Sequence, residues 1–214
     1  PLRVACRAAI DRDIWVIASA GNSGPAPYSI TCPACEQYVF AVGSLKYEPF
    51  ELSNFSSRGP TLEGLTKPDA LMFGEDISIA SSVSDTATTA KSGTSFAVPF
   101  CSGIVVGYHE SVAKWVAYEV AQLPGVLPRG AIGRRVVTPQ EMIDKYLLAI
   151  CVKPEGAPVG KDYEYGCGLP LGSLIAQAIT FRPLDISAVL TPVTSIITLG
   201  MFGMIMVPMT EAIR

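Results

Sequence analysis

Residues Val4 to Arg12 space their apolar side chains for one face of a helix, and they run almost directly into five consecutive apolar residues, Ile14-Trp15-Val16-Ile17-Ala18. A helix feeding a short strand with no polar alternation is the repeating unit of an α/β sheet, whose strands are covered on both faces. The segment Ala20-Gly21-Asn22-Ser23-Gly24-Pro25 then breaks the strand. A second apolar run, Tyr38-Val39-Phe40-Ala41-Val42-Gly43, follows a loop containing Cys32-Pro33-Ala34-Cys35. This pattern predicts a parallel sheet flanked by helices.

Between Ser53 and Ala90 the chain is rich in Ser, Thr, Gly, Pro and Asp, with short strands expected around Ala70 to Met72 and Ile77 to Ala80. A long apolar helix is predicted from Thr94 to about Tyr118. Thr138-Pro139-Gln140-Glu141 carries an N-cap, a first-turn proline and a capping-box glutamate, which predicts a helix with its apolar body from Ile143 to Val152. Tyr165-Gly166-Cys167-Gly168-Leu169 reads as a turn ahead of a further helix, Leu174 to Ile179. Hydrophobic residues make up 49% of the 214 and charged residues 16%, so a proper core can be buried. The net charge of −3 gives no electrostatic reason to expect nucleic acid. Pro1-Leu2-Arg3-Val4 runs into the first helix without a signal-peptide pattern, so the chain is expected to start inside a longer or processed protein.

Three separated segments carry the chemistry. Ser19-Ala20-Gly21-Asn22-Ser23-Gly24 is similar to the oxyanion-hole segment of the subtilisin-like serine proteases, the subtilases. Ser53-Asn54-Phe55-Ser56-Ser57-Arg58-Gly59-Pro60, followed by Lys67-Pro68-Asp69, resembles the loops between that site and the nucleophile. Gly93-Thr94-Ser95-Phe96-Ala97-Val98-Pro99 resembles the nucleophile motif, which in that family opens a long buried helix. The resemblance covers roughly residues 3 to 180 and implies the C-terminal part of a catalytic domain, residues 1–183. It implies a serine endopeptidase acting on peptide or protein, with Ser95 and Asn22 catalytic and Ala20, Gly21 and Thr94 binding substrate. Phe100 departs from the pattern, standing where relatives often carry histidine.

The physics of the residues agrees. A serine at a helix N-terminus has free backbone N–H groups and the positive end of the dipole beside it. An asparagine after a glycine at a strand end can project its amide into a cleft as a second donor. Such a donor is worth about 3–4 kcal/mol of transition-state stabilisation, a figure measured on subtilisin and carried over to Asn22. Each residue alone also has a simpler reading: Asn22 as a turn residue, Ser95 as a helix N-cap.

A subtilase triad runs Asp, His, Ser along the chain, yet the one histidine, His109, follows Ser95. On a continuous helix it would stand about 21 Å away at 1.5 Å per residue, and a general base must come within about 3 Å. The sequence therefore predicts that Asp and His come from a separate N-terminal fragment, whose strands are missing from this chain. The alternative is an inactive subtilase fold kept as a structural module in a membrane or virion-like assembly.

Cys32 and Cys35 lack the second ligand pair a zinc site needs, and a structural disulfide is expected, with Cys151 and Cys167 a further candidate pair. Disulfides would imply an oxidising, extracellular or cell-surface setting. Calcium sites occur in many subtilases, but no ligands are assignable here. Residues 186–209 carry no charge, enough length to cross a ~30 Å hydrocarbon core. The tail 184–214 is thus expected to be an apolar helical segment, either a membrane anchor or an arm against other subunits.

Overall fold

The computed structural model describes residues 2–12, 14–107 and 151–171. Helix α1 (Leu2–Ile10) buries Cys6. With Ile10, Cys6 packs against Ala18, Ala34, Val39 and Ala41, beside Val16 and Ile30. Small residues on the sheet side let the helix sit close. Arg12 donates to the Ala8 carbonyl (2.7 Å) and so satisfies one of the orphan acceptors at the helix end.

The main sheet is built around β2 (Phe40–Lys46), in which Phe40 to Leu45 are all buried. Strand β1 (Ile17–Ser19) runs parallel to β2 with Ile17 opposite Phe40 and Ser19 opposite Val42. Among the described residues β1 pairs with β2 alone. Strand β3 (Glu51–Leu52) folds back antiparallel on the end of β2, and β4 (Ala70–Phe73) runs parallel to it, Val42 opposite Ala70. The expected parallel sheet is therefore mixed: β1, β2 and β4 are parallel, and the short return at Tyr47 to Phe50 makes β3 antiparallel. β5 (Ile77–Ala80) and β6 (Thr88–Lys91) form a separate antiparallel hairpin. Helix α2 starts at residue 94 and its described residues run to 107.

Cys151 and Val152 do not end a helix, as the sequence suggests. They form β7 (Cys151–Val152), antiparallel to β8 (Leu169–Pro170). A short apolar run has no periodicity of its own to separate strand from helix; here the partner strand decides. β8 is tied to the main sheet by the Leu71 N–H donating to the Gly168 carbonyl at 2.9 Å. The rest of the long helix after residue 107, His109, the helix over 138–150, the helix at 174–179 and the tail 184–214 lie outside the described residues.

Helix α1 is fastened by charge as well as packing. Glu36 is buried, with Arg3 donating to its Oε2 at 2.9 Å and Arg7 donating to Oε1. Arg3 also forks onto Glu63 at 2.6 and 2.8 Å. Burial pushes the Glu36 carboxyl up, but the hydrogen bonds and charges of Arg3 and Arg7 outweigh it and hold the group below the usual carboxylate range. A carboxylate depressed in the folded state stabilises at neutral pH, and that contribution is lost as pH falls through its folded value. The protection of the α1 amides, normalised to their intrinsic exchange rates, should therefore fall on acidification below the ordinary carboxylate range. Glu36→Gln should already exchange fast at pH 7 and lose most of the pH dependence; a wild-type α1 whose protection is flat with pH would contradict the clamp.

Candidate active site

The end of β1 becomes a fixed turn within three residues. Ala20 is buried, and both its backbone groups are engaged: its N–H donates to Val42 (2.8 Å), and its carbonyl accepts from the Thr31 N–H (2.9 Å) and hydroxyl (3.3 Å). Gly21 follows at φ +114°, where a Cβ would lie 2.7 Å from Thr31 Oγ1 and 2.8 Å from Ser57 Oγ. Only glycine meets both conditions. The chain emerges with Asn22 exposed.

The start of α2 is brought to the same place by the far end of β4. Gly74 donates to Leu45 (3.1 Å) and accepts from the Gly93 N–H (2.7 Å), and a Cβ on Gly74 would lie 2.8 Å from Gly93 O and from Ser44 Oγ. With Gly93 held there, the buried Thr94 donates both its N–H and its hydroxyl to Asn22 Oδ1, each at 2.9 Å. The same hydroxyl accepts from the Gly21 N–H at 3.3 Å. A backbone N–H can donate only to oxygen, so the Asn22 amide has one allowed orientation. Its Oδ1 is spent on Thr94, and its Nδ2 keeps two donor hydrogens.

Ser95 is the next residue, exposed, in the first turn of α2. The N–H groups there have no intrahelical acceptor. The structure thus brings Asn22 onto Thr94, 72 positions later in sequence, and Ser95 follows Thr94 as an exposed residue of the helix's first turn. Of the residues the resemblance assigns to substrate, Ala20 and Thr94 are buried and hydrogen-bonded within the chain, and Gly21 is half-buried.

The thiols are arranged differently. Burial pushes the Cys101 thiol on α2 well up, and it does the same to Cys151, whose Sγ lies 2.7 Å from that of Cys167. Thiols held protonated in this way are poor nucleophiles, and Cys151 and Cys167 are free rather than bonded. Cys32 and Cys35 are joined, Cα–Cα 4.8 Å, in the turn that leads from Thr31 to Glu36. Among the described residues no group of three or more His, Cys, Asp or Glu side chains could hold a metal ion.

Sequence reasoning did not find Thr31 or Ser57, which crowd Gly21, nor that Thr94 orients Asn22. The serines at 53, 56 and 57 are visible in the sequence, but nothing local says that they are buried.

The comparisons with known proteins agree with one another. A model of the subtilase family matches residues 3–168. Serine protease AprX of Bacillus subtilis (strain 168) is 37% identical over a match covering 49% of this chain and 28% of that protein. Subtilisin-like protease SBT6.1 of Arabidopsis thaliana is 35% identical, covering 44% of this chain and 9% of that protein. The structure of the prenylagaramide maturation protease PagA superposes with a TM-score of 0.56 at 22% identity, covering 83% of this chain and 55% of that one. Sphericase gives 0.52 at 20% identity, covering 78% and 51%. The chain thus spans 28% or less of these curated relatives and about half of these solved structures.

Proposed function

This chain belongs to the subtilase family, and we propose that it supplies the nucleophile and oxyanion hole of a serine endopeptidase whose Asp and His come from an N-terminal fragment that these 214 residues do not include. Ser95 Oγ attacks the scissile carbonyl carbon while a histidine of that fragment takes its proton. The carbonyl oxygen becomes an oxyanion and receives hydrogen bonds from Asn22 Nδ2 and the Ser95 N–H. Collapse breaks the C–N bond, the histidine returns the proton to the departing amine, and water releases the acyl group from Ser95.

The observation that carries the reading is the Asn22–Thr94 pair. It consumes the acceptor of the amide and leaves its two donor hydrogens unspent, one residue from Ser95 along the nucleophile motif. That the base comes from outside these residues rests on the position of the one histidine, His109, 14 residues after Ser95 in sequence.

A fluorophosphonate probe separates the possibilities. The isolated chain should not be labelled, because no histidine precedes Ser95 in it. Mixing it with the N-terminal fragment that carries Asp and His should produce labelling, mapped by mass spectrometry to Ser95 and absent in Ser95→Ala. Labelling of Ser95 in the isolated chain would refute the requirement for a second fragment. A folded, stoichiometric complex that is neither labelled nor hydrolytic would leave the inactive structural module as the better account.

A further inference from the structure

Thr94 holds the side chain of Asn22 and, at 3.3 Å, the Gly21 N–H, but the backbone on both sides of Asn22 is held by a second residue. Ser57 is fully buried; its N–H donates to the Gly21 carbonyl at 3.0 Å, and its Oγ accepts the Ser23 N–H at 3.1 Å. The Gly24 N–H donates to the Phe55 carbonyl at 2.9 Å. One short turn thus brackets Asn22 from the residue before it to the second residue after it. The turn is itself anchored in β2: Ser56 Oγ accepts the Ser44 N–H at 3.0 Å, and the Ser44 and Ser53 hydroxyls pair at 2.9 Å.

Within this bracket the Ser57 Oγ–Ser23 bond alone is made by a side chain. It fixes the peptide group that leaves Asn22, and the torsions about Asn22 then set where its amide can point. We propose that Ser57 is a positioning residue for oxyanion stabilisation, acting through Asn22 and making no contact with substrate. The inference rests on the reading of Asn22 as an oxyanion donor. Removing the hydroxyl releases the peptide group that leaves Asn22, and the aim of Nδ2 loosens. Displacements of about 1 Å at such a site cost on the order of 10²-fold in rate.

The test is a double-mutant cycle in the assembled protease, with kcat, KM and Tm measured for wild type, Ser57→Ala, Asn22→Ala and the double variant. Ser57→Ala should lower kcat by about tenfold to a hundredfold, below the roughly 10²–10³-fold loss of Asn22→Ala, with KM unchanged. In the Asn22→Ala background it should lower kcat no further, since there is no amide left to aim. Ser57→Cys keeps the shape, offers a weaker acceptor, and should fall between. An unchanged kcat in Ser57→Ala and Ser57→Cys overturns the proposal, and so does an equal loss in both backgrounds or a loss that tracks Tm. If Asn22→Ala itself leaves kcat intact, the oxyanion reading is what fails, and the positioning role falls with it.

Discussion

In the assembled protease, Ser95→Ala should reduce kcat by about 10⁶, the scale set by the nucleophile of subtilisin, with folding and assembly unchanged. Asn22→Asp is the more informative partner experiment. Asn22 has two jobs that an alanine would remove together: its Oδ1 caps the nucleophile helix through Thr94, and its Nδ2 is the proposed oxyanion donor. Losing the cap alone costs about 0.5–2 kcal/mol of stability. Aspartate keeps an acceptor for Thr94 and suits a helix N-terminus by about 0.3–1 kcal/mol, but it has no N–H to give and adds a negative charge where the oxyanion forms. Turnover should therefore fall by at least about 10²–10³ while Tm stays at or above that of Asn22→Ala. An Asn22→Asp enzyme with wild-type kcat would show that the amide is only a cap. Measuring both variants by steady-state kinetics and thermal unfolding separates the roles.

The parts of this molecule that could be read from the chain are those whose cause is local. Phe40 to Leu45 are apolar but for Ser44, and all six are buried because β2 is covered on both faces. Ile77–Ala80 and α1 were legible for the same kind of reason, a periodicity set by their own burial. Thr88–Lys91 carries no such pattern; it is a strand because β5 lies beside it. The two-residue strands β3, β7 and β8 are too short to have a period, and tertiary pairing alone defines them. The site divides in the same way. Gly21, Asn22 and Ser95 stand out as turn and helix-start chemistry within quoted motifs. The bonds that make them a site, Thr94 to Asn22 across 72 positions and Ser57 to Ser23 across 34, have no local signature.

Asp69 is where that long-range wiring carries the greatest structural consequence, and its removal should be the most destabilising single change among the described residues. It is 1% exposed. Its Oδ2 accepts the Ala41 N–H at 2.8 Å and Lys67 Nζ at 2.5 Å, and its Oδ1 accepts Lys161 Nζ at 2.7 Å. Lys67 is equally buried and, among the described residues, otherwise donates to the carbonyls of Val39 (2.7 Å) and Gln37 (3.3 Å). One carboxylate thus faces two ammonium groups, and through Lys161 it fastens the segment after β7 to the main sheet. Asp69→Ala leaves both cations without a counter-charge, a change that costs about 3–5 kcal/mol, a large share of the roughly 5–15 kcal/mol that holds a domain folded. Lys67→Met, combined with Asp69→Ala, should recover part of the loss, because it removes one stranded charge. pH gives an independent check. Burial already holds the Lys67 ammonium below the ordinary lysine range, so between its folded and unfolded values the unfolded chain binds more protons, and stability rises with pH there. Without Asp69 that depression deepens and the window widens downward. The deficit of Asp69→Ala, measured by chemical denaturation, should therefore shrink as the solution is made alkaline, and in the Lys67→Met background it should shrink less. A deficit that is small at neutral pH, or that does not change as pH rises, would mean that water reaches the two lysines and the network is not the dry cluster its geometry describes.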